Sequence, residues 1–208
     1  MARYTGPVCR LCRRERTKLF LKGPKCMSAK CPITQGRVPP GQHGRDRQRQ
    51  PSEYAIQLRE KQRARRTYGV MGKQFQRFYR DAARRSGITG ENLLALLELR
   101  LDNVVFRALW GSSRAQARQL VRHGHVLVDG QRVDIPSYRL RPGQVVTLNP
   151  KARDLDIIAF NREHLTREVP AWLEVTDGGS GVRVLSVPLR DQIDTEVREQ
   201  LIVELFSK

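Results

Sequence analysis

Apolar residues recur at helical spacing through the first half of the chain. Ser52 can N-cap a helix that ends near Gly69, with Tyr54 and Leu58 on its inner face. The run from Leu93 to Leu101 is apolar over much of its circumference, which predicts a buried helix. Other predicted helices cover residues 73–85, 102–109, 113–124 and 151–164.

Shorter apolar runs in the second half predict a small sheet. Asp129-Gly130 follows a predicted strand, Val126–Val128, and Asp-Gly is the strongest short hairpin signal. Arg141-Pro142-Gly143 predicts a second turn before the strand Val145–Leu148. The fold class is therefore α+β. Further strands are predicted over Trp172–Val175, Val182–Val187 and Leu201–Phe206.

Charge divides the chain into two unequal halves. Residues 1–85 hold 23 basic and 5 acidic residues, and residues 86–208 hold 16 of each, so the net charge of +18 belongs to the first half. Of the basic residues, 31 are Arg and 8 are Lys. Arg grips phosphate bidentately, so we expect a nucleic-acid partner. A solvated basic surface and a membrane-surface patch are the alternatives.

The compartment follows from what the chain lacks. No apolar run approaches the roughly 20 residues that span a bilayer, and the N-terminus has no apolar signal region. We therefore expect a cytoplasmic protein with no membrane partner. Cytosolic thiols stay reduced, so closely paired cysteines there favour metal binding over disulfides.

Cys9, Cys12, Cys26 and Cys31 are the only cysteines and are spaced C-x2-C-x13-C-x4-C. Two close pairs can place four thiolates around one ion, as in a structural zinc site. A closed four-thiolate site leaves no open position, so the Zn²⁺ would be structural. An iron–sulfur cluster uses the same ligands, and reduced apolar cysteines are the third alternative.

The helix predicted before Gly124 carries a basic face. Ser113 and Gln116 form a capping box at its start, and Arg114, Arg118 and Arg122 follow at i, i+4 and i+8. A rigid basic face suits the backbone of folded RNA, whose base edges lie in a narrow groove. The predicted RNA-binding residues here are Arg114, Gln116, Arg118, Gln119, Arg122 and His123. Those of the N-terminal half are Arg3, Arg10, Arg13, Arg14, Arg45, Arg47, Arg49, Lys61, Arg63, Arg65 and Arg66.

A set of motifs between Glu98 and Asn161 resembles a known RNA-binding module, the one named after small-subunit ribosomal protein four. The motifs are Arg100-Leu101-Asp102-Asn103-Val104-Val105, Ser112-Ser113-Arg114-Ala115-Gln116-Ala117-Arg118-Gln119-Leu120-Val121, His123-Gly124-His125-Val126, Val128-Asp129-Gly130-Gln131-Arg132-Val133, Pro136-Ser137-Tyr138 and Arg141-Pro142-Gly143.

The flanking residues extend the resemblance over the whole chain. Arg3-Tyr4-Thr5-Gly6-Pro7-Val8-Cys9-Arg10-Leu11-Cys12-Arg13-Arg14, Pro39-Pro40-Gly41-Gln42-His43-Gly44 and Leu58-Arg59-Glu60-Lys61-Gln62 are similar to the bacterial family of small-subunit ribosomal protein four. The resemblance implies a protein that binds 16S ribosomal RNA early in assembly, at a 5′-domain junction. It also implies contact with ribosomal protein five, linked to decoding accuracy, and with messenger RNA near the entry channel, for which Arg45, Arg47 and Arg49 are the candidates.

Four segments follow from these observations. We expect a zinc-binding basic segment over residues 1–50, a helical region over 51–97, an RNA-binding module over 98–161, and C-terminal strands over 162–208 that pack with the helical region. Residues 150–208 carry 8 basic and 11 acidic residues, which suits a protein neighbour better than RNA.

Other functions use the same module. Pseudouridine synthases and tyrosyl-tRNA synthetases carry it as an appendage, but the roughly 50 residues after it are too few for either catalytic domain. No phosphate loop, nucleophile elbow or acid–base pair accompanies it, so we expect neither an enzyme nor a small-molecule substrate. A stand-alone RNA-binding or rescue factor is the main alternative, and a zinc-dependent DNA regulator is another.

Overall fold

The computed structural model describes residues 3–46, 50–153 and 155–207. Its residues form two compact units, one reaching to Leu93 and resuming at Thr195, the other running from Leu94 to Asp194. The second unit is therefore inserted into the sequence of the first. Within the described residues no helix is long and apolar enough to span a membrane.

Short and long helices build the first unit. Ser52 caps the longest of them, because its Oγ accepts a hydrogen bond from the N–H of Ala55 at 3.3 Å. The helices are α1 (Cys9–Glu15), α2 (Pro24–Met27), a 3₁₀ helix (Gln42–Arg45), α3 (Glu53–Thr67), α4 (Gly72–Ala83), α5 (Thr89–Glu98), within which the two units divide, and a helix over Glu199–Ser207, numbered α10 in chain order.

Helix α3 buries a polar face. Gln57 and Glu60 are buried, whereas Tyr54 is 58% exposed, so the expectation that Tyr54 points inward is wrong. Gln57 Nε2 donates to Glu204 Oε2 of α10 at 3.1 Å, and Glu60 Oε2 accepts from the N–H of Arg198 at 3.2 Å. These hydrogen bonds offset the desolvation of the buried polar groups.

The strand predicted over Leu201–Phe206 is also wrong, because these residues lie in α10. Short apolar runs fit either a strand or a buried helix. Here the helical arrangement is stabilised by packing against α3 and by Phe206, whose ring stacks on Tyr79 with centroids 4.3 Å apart.

In the second unit, helices pack on one antiparallel sheet. The sheet order is β2-β1-β3-β5-β4, and β3 pairs with β5 through Val146↔Val182. The sheet therefore contains strands from before and after residue 161. The predicted domain boundary at residue 161 lies inside this unit. The elements are α6 (Leu101–Arg107), α7 (Arg114–Arg122), β1 (Val126–Val128), β2 (Gln131–Arg132), β3 (Val145–Leu148), α8 (Pro150–Arg153), α9 (Asp156–His164), β4 (Leu173–Thr176) and β5 (Gly181–Val184).

The core of this unit lies between the sheet and α6 and α7. Trp110 and Trp172 are each 1% exposed within it, and Trp110 Nε1 donates to the carbonyl of Gly179 at 2.9 Å. The predicted hairpin is confirmed: Asp129 and Gly130 have φ of 49° and 80° between β1 and β2. A mixture of helices with a small antiparallel sheet thus agrees with the predicted α+β class.

Candidate nucleic-acid interface and cysteine cluster

The four cysteines converge on one small cavity in the first unit. Cys9 and Cys12 lie on α1, Cys26 on α2, and Cys31 follows that helix; Lys22 and Lys25 line the same cavity. All four thiols are free, and all but Cys9 are buried. The N–H of Lys22 donates to Cys26 Sγ at 3.3 Å. The local fold therefore brings both predicted pairs together.

Their environment affects the thiols differently. Burial raises the pKa of the Cys12 and Cys26 thiols, and the neighbouring sulfurs add to the effect. Burial also acts on Cys31, but hydrogen bonds from Thr34 and Ile33 outweigh it and lower the pKa of the Cys31 thiol. Over residues 3–46, 50–153 and 155–207, no three His, Cys, Asp or Glu side chains are arranged as in a metal site, so Zn²⁺ binding stays a prediction.

Several predicted RNA-binding residues of the N-terminal segment face solvent. Arg13 is half-buried and its Nη1 donates to the carbonyl of Val38 at 3.1 Å, which fixes the guanidinium. Arg47 and Arg49 lie outside the described residues. The exposed members of the set are Arg3, Arg10, Arg14 and Arg45.

The cations of α3 are instead half-buried and engaged within the first unit. Arg66 and Arg59 contact the buried carboxylate of Glu15, the latter at 3.2 Å. Arg63 contacts Glu60 at 2.7 Å, and the ammonium of Lys61 lies 5.4 Å from the centre of the Phe206 ring. Part of this predicted basic face therefore stabilises the fold.

Burial also affects the protonation equilibria of these α3 side chains. It lowers the pKa of Lys61, Arg65 and Arg66, and for Lys61 the charge of Arg65 adds to that effect. Glu15 opposes the lowering for Arg65 and Arg66.

In the second unit, α7 divides the predicted basic face in two. Arg118 is buried, and its Nη1 contacts Asp102 Oδ2 at 3.0 Å. Gln116 Oε1 accepts from the N–H of Ser112 at 2.6 Å and from Asn161 Nδ2 at 3.2 Å. These two side chains therefore hold the module together, whereas the exposed part of the predicted set is Gln119, Arg122 and His123.

Arg114 is half-buried, between the buried Arg118 and the exposed Arg122. Its Nε donates to Asn103 Oδ1 at 2.8 Å, and its guanidinium carbon is 4.4 Å from the centre of the Phe106 ring. Arg167 lies 3.7 Å from the same ring centre, and burial, with the charges of Arg114 and Arg107, lowers the pKa of Arg167 to about 10. Sequence reasoning missed Arg167, because nothing in its local pattern marks it.

Arg132 is a second cation that sequence reasoning missed. It is exposed on β2, and its guanidinium lies over Gly124, where a Cβ would come within 2.2 Å of the Arg132 Nε. His123 and His125 have ring centres 5.9 Å apart beside it. Burial, His123 and Arg132 together lower the pKa of His125. The predicted hairpin could have indicated Arg132, because it brings β2 back towards the end of α7.

Exposed cations at the end of α7 and on the adjoining hairpin, together with the exposed arginines of the first unit, are typical of a nucleic-acid-binding class of protein. Residues 3–98 match the ribosomal protein S4/S9 N-terminal domain family, and residues 99–146 match the S4 domain family. Over the full length of both chains, the sequence is 57% identical to small ribosomal subunit protein uS4A of Symbiobacterium thermophilum. It is 57% identical to uS4 of Acidothermus cellulolyticus and 53% identical to uS4 of Thermoanaerobacter sp., again over both full lengths.

The chain belongs to the ribosomal protein S4 family, known as uS4. The resemblance seen in the sequence motifs is thereby confirmed, and so is the expectation of a protein that is not an enzyme.

Proposed function

We propose that the chain is a cytoplasmic structural constituent of the small ribosomal subunit and binds 16S ribosomal RNA directly. Its identity of 53–57% with small ribosomal subunit proteins over their full length is the observation that carries the proposal. The exposed cations Arg3, Arg10, Arg14, Arg122 and Arg132 supply phosphate contacts. Binding early at a 5′-domain junction nucleates assembly of the subunit body.

Binding to a 5′-domain transcript tests this function. We expect tight binding that survives an excess of duplex DNA, with log K falling steeply against log salt because many phosphate contacts release counterions. The affinity is measured across a salt series at constant pH. Equal binding to both polymers would contradict a specific ribosomal RNA site and favour a general charge effect. Stand-alone rescue, the alternative function, would leave the chain off the small subunit after a high-salt wash.

We infer that ribosomal protein five is the protein neighbour and that the pair affects decoding accuracy. Four large apolar side chains of the second unit, one on the edge strand β4 and three in the segment after β5, support this: Val175, Leu185, Val187 and Leu189 are between 43% and 63% exposed. A protein surface can cover such residues, whereas RNA phosphates gain little from them. The acidic excess of residues 150–208 also favours protein over RNA.

The double change Leu185→Ser and Leu189→Ser tests the protein contact. We expect it to weaken the affinity for purified ribosomal protein five by about tenfold or more, because apolar area buried at the contact is lost. Isothermal calorimetry measures the affinity. Ile88→Ser is the control, since Ile88 is 64% exposed in the other unit. An equal effect of both variants would argue against this surface.

We propose that Arg45, Arg47 and Arg49 contact messenger RNA near the entry channel. Arg45 is exposed, which supports its part in the contact. Changing the three to alanine is expected to slow the unwinding of structured messenger by assembled ribosomes, because unpaired strands lose cationic contacts. Single-ribosome unwinding rates measure the effect, and an unchanged rate would refute this role.

We also propose that the four thiolates bind one structural Zn²⁺. Their convergence on a single cavity supports the ligand set, and Lys22 and Lys25 offset the net negative charge of a four-thiolate zinc centre. The ion supplies folding energy to a segment with few apolar residues of its own. An iron–sulfur cluster on the same ligands is the alternative, which an absorption spectrum distinguishes.

A further inference from the structure

A cavity in the second unit combines apolar and cationic side chains and has no part in the functions proposed above. Its volume is about 340 Å³, within the range of pockets that hold small ligands. Phe106 and Arg107 of α6 are the buried residues of its lining, and Arg167, in the segment after α9, is half-buried. The exposed residues around it are Thr166, Glu168 and Asp194.

Arg167 gives the cavity a positive charge that is not neutralised by an ion pair. Its guanidinium carbon lies 3.7 Å from the centre of the Phe106 ring, and its Nη2 donates to the carbonyl of Gly111 at 2.9 Å, so two contacts orient the planar group. In the part of the chain that the structure describes, no carboxylate forms an ion pair with Arg167. Burial and the charges of Arg114 and Arg107 lower the pKa of Arg167 to about 10, and an anion beside the guanidinium would oppose that effect.

Arg107, the other cation of the lining, is already paired with carboxylates. Its Nη2 contacts Glu98 Oε1 at 2.8 Å and Asp194 Oδ1 at 2.5 Å. Arg107 therefore fixes the wall of the cavity, and Arg167 is the cation that can pair with a ligand. Glu168 and Asp194 place two carboxylates at the exposed side, and these repel a polyanion such as an RNA strand more strongly than a small monoanion.

The rest of the lining is apolar or carries a neutral donor. Leu109 and Pro170 line the cavity together with Phe106. Leu109 follows the end of α6 with φ of 63°, a region that a bulky residue rarely adopts, and backbone strain of this kind is typical of binding sites. Gln192 Oε1 accepts from the N–H of Leu189 at 3.1 Å, which leaves the Nε2 group of Gln192 to donate to a ligand.

We propose that this cavity binds a small carboxylic acid as its monoanion, with the carboxylate on Arg167 and an apolar body against Leu109 and Pro170. A guanidinium binds a carboxylate through two parallel hydrogen bonds, and the apolar wall is stabilised when it is removed from water. A small molecule is favoured over an acidic protein segment, because Glu168 and Asp194 would repel further acidic side chains. The site goes beyond the proposed function and does not depend on it.

Phenylacetate is the probe for this site, and phenylacetamide is its neutral counterpart of nearly the same shape. An NMR titration of the full-length chain follows the Nε–H signal of Arg167, which is assigned by its loss in Arg167→Gln. We expect saturable binding of phenylacetate with a dissociation constant of about 1 mM or below, and binding of phenylacetamide that is at least about tenfold weaker. Absence of saturation at about 10 mM, or equal binding of the two compounds, would overturn the proposal.

Variants of opposite expected effect test the residues of the site by ligand-detected NMR. Arg167→Gln is expected to weaken phenylacetate binding about 10- to 100-fold, whereas the control Arg141→Gln, which removes an exposed guanidinium from the same unit, changes it less than about twofold. Glu168→Gln removes a repelling charge and is expected to tighten binding about two- to threefold. Circular dichroism establishes folding. If Arg167→Gln unfolds, the exposed Glu168 still provides a test, and unchanged or weaker binding by its variant contradicts the site.

RNA and an acidic protein segment are the other possible occupants of the cavity. We expect Arg167→Gln to bind the 5′-domain transcript within about threefold of the wild-type chain. A loss of about tenfold or more, with no phenylacetate binding by the wild-type chain, would assign the cavity to the RNA interface and overturn the proposal. Tetraglutamate represents an acidic segment, and Arg167-dependent binding tighter than that of phenylacetate would refute the small-molecule assignment. A wild-type chain that does not prefer the transcript to duplex DNA would contradict the proposed function alone.

Discussion

Cys9→Ser is expected to abolish stoichiometric zinc and to unfold the N-terminal part of the first unit. One ligand of the proposed four-thiolate site is lost, and metal binding supplies on the order of 10 kcal/mol to small zinc modules. Cys12 of α1, Cys26 and Cys31 would then lose the common ion that holds their segments together. Metal content by mass spectrometry and limited proteolysis within residues 3–46 measure the two effects.

Ala29→Ser is the matched control for this change. It adds the same hydroxyl group to the same loop at an exposed position and leaves all four thiols in place. Both tryptophans of the chain, Trp110 and Trp172, lie in the second unit, so their fluorescence should not change in either variant. Full zinc retention by Cys9→Ser would refute the proposed ligand set.

Arg107→Met is expected to destabilise the second unit by about 3–5 kcal/mol. Glu98 is fully buried, and its carboxylate accepts hydrogen bonds from Arg107 Nε and Nη2 at 2.8 Å each and from Asn103 Nδ2 at 2.7 Å. Removing the guanidinium takes two short charged hydrogen bonds from the buried carboxylate, and Arg114 is more distant, with Nη2 3.9 Å from Glu98 Oε1. Urea unfolding followed by tryptophan fluorescence reports this unit selectively, and a loss below about 1 kcal/mol would contradict the argument.

Asp194→Asn provides the comparison, because Asp194 contacts the same guanidinium from outside. Its side chain is 71% exposed, so we expect a loss of at most about 1 kcal/mol at neutral pH. Hydrogen bonds from Arg107 lower the pKa of Asp194 below its usual 3.8. The pair therefore stabilises the fold above about pH 4 and ceases to do so as the pH falls through the lowered pKa, and the variant should lose that acid dependence.

The sequence predicted α7 and the β1–β2 hairpin well, because their signals are local. The Ser113 cap and the Asp129-Gly130 turn depend on neighbouring residues alone. Which arginines of α7 face solvent is not a local property. Arg118 lies at the same helical spacing as Arg122, yet it is buried against Asp102, an acidic residue on α6. Helical spacing identifies a face but not what covers it.

The errors in the first unit have a related cause. Aromatic residues favour burial, so the sequence predicts Tyr54 on the buried face of α3. That face instead buries Gln57, which contacts Glu204 of α10. Gln57 and Glu204 lie 147 positions apart, so local sequence does not reveal their pairing. The run Leu201–Phe206 is predicted as a strand because the helix it packs against, α3, is equally distant in sequence. A polar helix face is recognised as interior only when its partner is known.

The insertion of the second unit between α5 and α10 sets an order for folding on the ribosome that synthesises this chain. The second unit is continuous in sequence, so all of its strands are synthesised before α10, whereas the first unit needs both ends of the chain. Helix α3 emerges much earlier but keeps Gln57 and Glu60 without their partners until Glu204 and Arg198 arrive. The unit whose synthesis begins first is therefore the last to receive all of its interacting segments, and it cannot become native before the chain is finished.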